Sequence, residues 1–330
     1  MPRIVRRLIS ITAVLVALPV LVVTAPLWLV IAVVADASTR LWAFPTVRLG
    51  VFAVVYLIHE WIGLTVALAL TVGNLVRRPA TRHQAISPFR QVQGWWAASL
   101  LRWAGRLLGV RFDLDDLDTL PTDTFIVLSR HASMVDAVLP AKIVASLLER
   151  YVHYVMKQSL QWDPNLDIYG VTLGNYFVAR ASDGDAEAAA IARFAEGAMP
   201  NSALIIFPEG TYATAATRAR VHASLDRSGS TEIAAFARSL DHLLPPKPAG
   251  TVALLATQPE ADVVVLGHVG LEGVAQLAGL RTRLPLERPI VARWWVHPRS
   301  TVPSDPDGQV GWLNDQWLTL DRWVDAQQSP

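Results

Sequence analysis

The sequence predicts a membrane-attached α/β protein, in which a helix-flanked sheet follows an N-terminal pair of apolar helices. Three observations carry this expectation. Hydrophobic residues make up 52% of the 330 residues and charged residues only 17%, with a mean hydropathy of +0.33, against the ~25% charged residues usual in soluble domains. Two long stretches near the N-terminus are almost free of charge. Beyond residue 110, short β-rich runs alternate with helical segments, the pattern of a sheet with helices on its faces.

The anchor comes first in the chain. Residues 8–34 contain no charged side chain, and Pro19 and Pro26 mark the expected kinks. At 1.5 Å per residue the stretch reaches ~40 Å, more than the ~30 Å of a hydrocarbon core. A second apolar stretch covers 51–76 and is interrupted by His59 and Glu60. Ionisable groups are expensive in lipid, so these two are expected to pair with each other or to face the partner helix. Arg3, Arg6 and Arg7 precede the first stretch and Arg77, Arg78 and Arg82 follow the second, while the linker carries Asp36, Arg40 and Arg48. By the positive-inside rule this predicts a helical hairpin over residues 1–90 with both ends in the cytoplasm; a hairpin dipping into one leaflet is the alternative. Val34-Ala35-Asp36-Ala37 resembles a signal-peptidase site, but the apolar run exceeds the 7–15 residues of a signal core. Residues 94–110 then combine Trp95, Trp96 and Trp103 with Arg102 and Arg106. That composition suits a cationic amphipathic helix in the headgroup plane; the alternative is an ordinary helix packed on the domain core.

Composition excludes several functions. Lys+Arg 29 against Asp+Glu 28 leaves a charge of +1, which gives no footprint for nucleic acid. With no cysteine, disulfides, thiolate metal sites and a cysteine nucleophile are all absent. Two candidate spans do not make a transporter. In the folded part, 91–330, strands are expected at 124–129, 152–156, 176–179, 203–207, 263–267 and 290–296. Helices are expected at 133–149, 185–197 and 311–324, with loops at 244–248, 281–289 and 302–308.

Three strand ends carry the chemistry. His131 follows the first strand, and Asp136 lies five residues later at the start of a helix. A carboxylate at that spacing reaches one imidazole nitrogen, fixes the tautomer and leaves the other nitrogen as a general base. The bland reading of Ser133-x-x-Asp136 is a helix capping box. Arg180 stands at the end of the strand in Gly174-Asn175-Tyr176-Phe177-Val178-Ala179-Arg180, suited to phosphate, or to an ion pair with Asp183 or Asp185. Pro208-Glu209-Gly210-Thr211 follows the strand at 203–207 and by itself reads as a tight turn.

Taken together and in order, Arg130-His131-x4-Asp136, Gly174-x2-Phe177-Val178-x-Arg180 and Phe207-Pro208-Glu209-Gly210-Thr211 resemble the motifs of the lysophosphatidate (PlsC-type glycerolipid) acyltransferase family over about residues 90–270. Lys157, Pro164, Tyr169-Gly170 and His242-Leu243-Leu244-Pro245 resemble its lysocardiolipin acyltransferase-like branch. The resemblance implies a mixed central sheet flanked by helices, working on the cell membrane from the cytoplasmic side. It implies His131 as the base that deprotonates a lysophospholipid hydroxyl, oriented by Asp136, for direct attack on an acyl-CoA or acyl carrier protein thioester. The expected product is phosphatidate, with no cofactor or metal. Arg180, Glu209, Gly210, Thr211 and Lys157 are the implied acceptor-binding residues, and the backbone near Ser133 the implied source of oxyanion donors. Where the family's third motif continues with arginine, this chain has Tyr212, with Arg218 and Arg220 close downstream; that opens the acceptor to another lysophospholipid or a glycolipid. A serine hydrolase using Ser129 or Ser133 lacks the Gly-x-Ser-x-Gly elbow. A non-catalytic lipid-binding protein leaves the His131/Asp136 pair without a purpose.

Overall fold

A computed structural model describes residues 2–133, 136–179, 184–228, 231–272 and 281–328. Helices α1 (Arg3–Val23) and α2 (Ala25–Ser38) meet at Thr24, just before Pro26. Pro26 lies in the first turn of α2, where proline's missing N–H costs nothing, so the chain breaks ahead of it. Pro19 is accommodated inside α1. Helix α3 (Pro45–Arg77) starts at Pro45, and its free N–H groups at Thr46 and Val47 are taken by the Asp36 carboxylate at 2.9 and 3.4 Å. By length and composition α1 and α3 are each apolar enough to cross a membrane. Their outward residues, among them Leu8, Val23, Leu68 and Val76, are exposed hydrocarbon.

The hairpin is seated on the folded part at both ends. Arg6 and Arg7 clasp Asp167 at 3.0 and 2.7 Å, and that carboxylate has no exposed side-chain surface. At the linker, Arg281 reaches Asp36 at 3.3 Å, and Arg48 donates to the Leu107 carbonyl. Between these points α3 runs along α4 (Arg82–Leu108), which Thr81 caps and Gly109 ends at φ 75°. His59 and Glu60 do not turn to each other. His59 sits 2.8 Å from the Ser99 hydroxyl of α4 and stacks on Trp95. Glu60 is buried where Asn165 donates to its carbonyl. The 94–110 segment is thus the second half of a longer helix: Leu100, Ala104 and Leu108 pack inward, while Trp95 and Trp103 remain exposed.

The chain then alternates through β1 (Phe112–Leu114), β2 (Phe125–Ser129), α5 (Val138–Pro140), β3 (Tyr151–Lys157), α6 (Pro164–Thr172), β4 (Tyr176–Val178), α7 (Gly184–Glu196) and β5 (Ser202–Ile206). It continues through α8 (Ala215–Ser228), α9 (Thr231–Arg238), α10 (Pro248–Thr257), β6 (Asp262–Val269), β7 (Ile290–His297) and α11 (Pro306–Gln328). Among the described residues the strands form one sheet in the order β1-β7-β6-β2-β5-β3-β4. All neighbours pair in parallel except β6 and β7, so the sheet is mixed. Both faces are covered, which explains the unbroken apolar run of β2. Ile126 and Leu128 pack with α7, α10 and α11 on one side, and Phe125 and Val127 with Ala97, Ile143 and Val144 on the other.

The expected helix at 133–149 takes another form. After Pro140 the chain widens into a π-helical stretch, Ala141–Leu147, in which Leu148 N–H reaches back to the Ile143 carbonyl. Pro140 removes one donor from the ladder, and Ser133 and Asp136 are engaged in the loop before it.

Candidate active site

Four adjacent parallel strands, β6, β2, β5 and β3, bring their carboxyl ends to one edge of the sheet, where sites in such sheets form. Each contributes one candidate side chain: His268 from β6, His131 from the loop after β2, Glu209 from the turn after β5, and Lys157 from the end of β3.

His131 and Asp136 meet as their spacing implies. Nδ1 of His131 lies 3.2 Å from Asp136 Oδ2, with 12% of the His131 side chain exposed and none of Asp136. The carboxylate is held by more than the imidazole. The Ser133 N–H donates to Oδ2 at 2.7 Å and the Ser133 hydroxyl to Oδ1 at 2.6 Å. Burial raises the Asp136 pKa, but His268 and the hydrogen bonds from His131 and Ser133 outweigh it, holding the carboxyl below its ordinary range and anionic at neutral pH. Among the described residues no hydrogen bond engages His131 Nε2, while the rings of Phe207 and Tyr212 flank the imidazole at 4.5 and 4.4 Å. The group can therefore act as a base with one fixed face and one open nitrogen.

Glu209 faces inward. One oxygen accepts the His131 N–H at 2.7 Å and the other the Leu244 N–H at 2.9 Å, and the residue is only 2% exposed. Each oxygen accepts from backbone, and together they tie the loop after β2 to the segment 243–247. Burial pushes its pKa up to about 8 against the pull of those two N–H groups and of Arg130. Gly210 follows at φ 68°, a conformation that disfavours a side chain. Thr211 lies on the open side, where Lys157 Nζ approaches its hydroxyl at 3.5 Å and sits 4.8 Å over the Tyr212 ring. Burial lowers the Lys157 pKa, and the like charge of Lys247 lowers it further.

The Ser133 N–H is spent on Asp136 and so cannot serve as an oxyanion donor. Arg180 falls outside the described residues. Three residues of this edge were not anticipated. Lys247 donates its N–H to the Pro208 carbonyl, with its side chain beside Gly210. His268 is fully buried 3.6 Å from Asp136 Oδ1. Glu272 pairs with the buried Arg130 at 2.6 Å, and Arg130 also donates to the His268 carbonyl. His268 stands one residue beyond the expected end of its strand, and a site search at every strand's carboxyl end reaches it.

Comparison with known proteins now adds to this geometry. Residues 111–247 match the family model described as Acyltransferase, a span that contains His131, Asp136, Lys157 and the turn at 208–211. A solved structure that resembles the chain is the crystal structure of the 1-acyl-sn-glycerophosphate (LPA) acyltransferase, PlsC, from Thermotoga maritima. It has 16% sequence identity and a TM-score of 0.51, and the match covers 83% of this chain and 95% of that one. The matched residues thus sit in a PlsC-like fold that extends beyond them. No curated protein sequence matches the chain.

Proposed function

We propose that this acyltransferase moves a fatty acyl group from an acyl thioester to the free hydroxyl of 1-acyl-glycerol-3-phosphate, giving phosphatidate at the membrane. The observation that carries the reading is the His131–Asp136 pair at 3.2 Å with Nε2 of His131 open. Nε2 takes the proton of the acceptor hydroxyl as that oxygen attacks the thioester carbonyl. The carbonyl re-forms as the carbon–sulfur bond breaks, and the proton passes from Nε2 to the departing thiolate. An ester and a free thiol result, with His131 returned to its starting state. Asp136 stabilises the transient imidazolium through Nδ1. No acyl-enzyme is required. The donor is acyl-CoA or acyl carrier protein.

Lys157 near Thr211 and Lys247 beside Gly210 supply positive charge for the acceptor phosphate, with Thr211 as a hydroxyl partner and Arg180 as a third cation. They are point charges, unlike the forked guanidinium expected at position 212. The likeness to an acyltransferase whose title names LPA supports lysophosphatidate as the acceptor. The exposed apolar faces of α1 and α3 support a membrane location. The test offers the detergent-solubilised protein an acyl-CoA and a panel of lysophospholipids, with products read by mass spectrometry. Phosphatidate as the main product is expected; acylation of another lysophospholipid or a glycolipid with no phosphatidate would reject the acceptor while keeping the chemistry.

A further inference from the structure

Asp136 lies between two histidines. Oδ2 serves His131, while Oδ1 faces the ring of His268, whose Nε2 lies 3.6 Å from it and 3.3 Å from the Arg130 carbonyl. His268 comes from β6, beyond the residues of the family match. The strand pairing that sets Ser129 opposite Leu266, prolonged by the Arg130 N–H bond to the Leu266 carbonyl at 3.0 Å, brings His268 level with the His131 loop.

The chemistry of this contact follows from its partners. Both groups facing Nε2 are acceptors, so Nε2 carries the proton and donates it to the Arg130 carbonyl at 3.3 Å, while the Asp136 oxygen at 3.6 Å meets the positive end of the same N–H dipole. Nδ1 has no hydrogen-bond partner among the described residues. A second proton there would be a buried donor with nothing to meet, which is costly. Burial holds the ring below its ordinary pKa and the Arg130 charge acts in the same direction, against the pull of Asp136 and Glu272. His268 is therefore a neutral donor in a dry setting. The charged groups around it are Asp136, Arg130 and Glu272, with Arg130 already paired to Glu272. Glu209 lies on the far side, under the His131 N–H.

We propose that His268 is a positioning residue of the transfer reaction, drawing on the second oxygen of Asp136 so that His131 meets the acceptor hydroxyl as a free base. This rests on the acyltransferase reading above. An N–H dipole directed at Oδ1 offsets part of the carboxylate's charge and leaves less of its pull on the other imidazole. Without His268, the charge of Asp136 falls more fully on His131 and favours the imidazolium, which cannot accept a proton.

The experiment compares wild type, His268→Leu and His268→Gln, all full-length in detergent, with lysophosphatidate and an acyl-CoA. In His268→Leu the acid limb of kcat/KM should move up by about half a pH unit, a loss of roughly threefold on the acid side that recovers at alkaline pH. Glutamine, whose amide donor reaches the same place, should return the limb toward wild type. Equal loss at every pH, or an unmoved limb, overturns the proposal in favour of simple packing. The titration of the His131 ring, followed by NMR with 13C-labelled histidine, supplies a readout independent of turnover and should move the same way. If wild type transfers no acyl group, the acyltransferase reading fails, and an unmoved His131 titration would then separately overturn the role of His268.

Discussion

A single buried carboxyl group joins the two halves of the active edge. Glu209 bonds the His131 N–H on one side and the Leu244 N–H on the other, and its pKa, raised to about 8 by burial, has a consequence for stability. The folded value lies above the ordinary one, so the protonated form is favoured in the folded protein. Its stabilising contribution is complete below about pH 4.5 and is lost as pH rises through 8. Glu209→Gln should flatten this part of the pH dependence, because the amide does not ionise. It should also cost about 1–3 kcal/mol, since its NH2 meets a backbone N–H where an acceptor is required. Thermal melts from pH 5 to 9 test both; a variant as stable as wild type with the same pH dependence contradicts the assignment. The contact between His131 and Asp136 was legible from spacing, since they are five apart in sequence and meet locally. The bonds of Glu209 were not legible, because the N–H groups it satisfies at His131 and Leu244 are set by the fold and leave no mark on the turn motif. His268 carries no motif of its own, and its meaning comes only from strand pairing.

The secondary elements divide along a similar line. Central strands such as β2 and β5 are buried on every residue, so continuous runs of Ile, Val and Leu mark them plainly. Short β1 and helices α6, α8, α9 and α10 escape such a reading, since a brief edge strand or a short helix shows too few periods. The helix expected at 133–149 gives way because Ser133 and Asp136 bond each other in the loop and Pro140 interrupts the ladder. The docking of α1 is also an element-scale property. Asp167, with no exposed surface, holds Arg6 and Arg7 and accepts from Gln161 at 3.1 Å. Replacing Asp167 with Ala removes the partner of both guanidiniums. Because Arg7 is 27% exposed and can turn to water, the expected cost is about 1–3 kcal/mol, below that of a fully buried pair. Trypsin should then cut at Arg6 and Arg7 faster than in wild type, with His131-dependent activity largely kept. Unchanged cleavage contradicts the docking.

At the scale of the whole molecule, alternating strands and helices made the α/β class readable, and the two apolar stretches made the two long apolar helices readable. The antiparallel β7 and the placement of β1 beyond it were not, because no tight hairpin turn joins β6 to β7 and β1, the first strand, pairs with the last. Nor was the seating of the hairpin. Arg281 meets Asp36 across 245 residues of chain, and a positive-inside count has no access to such a contact. With both ends of the hairpin tied to the folded part, the exposed apolar surface of α1 and α3 lies alongside the domain that carries His131. That arrangement suits an enzyme whose acceptor resides in a bilayer. The claim on which the account stands is still local, namely that His131 is the base. The most direct measurement is a single-turnover transfer assay on His131→Ala beside wild type, at equal protein and with matched thermal melts. The account predicts a loss of at least ~100-fold in the chemical step with the melting temperature nearly unchanged. Transfer at the wild-type rate by a folded His131→Ala protein would contradict it.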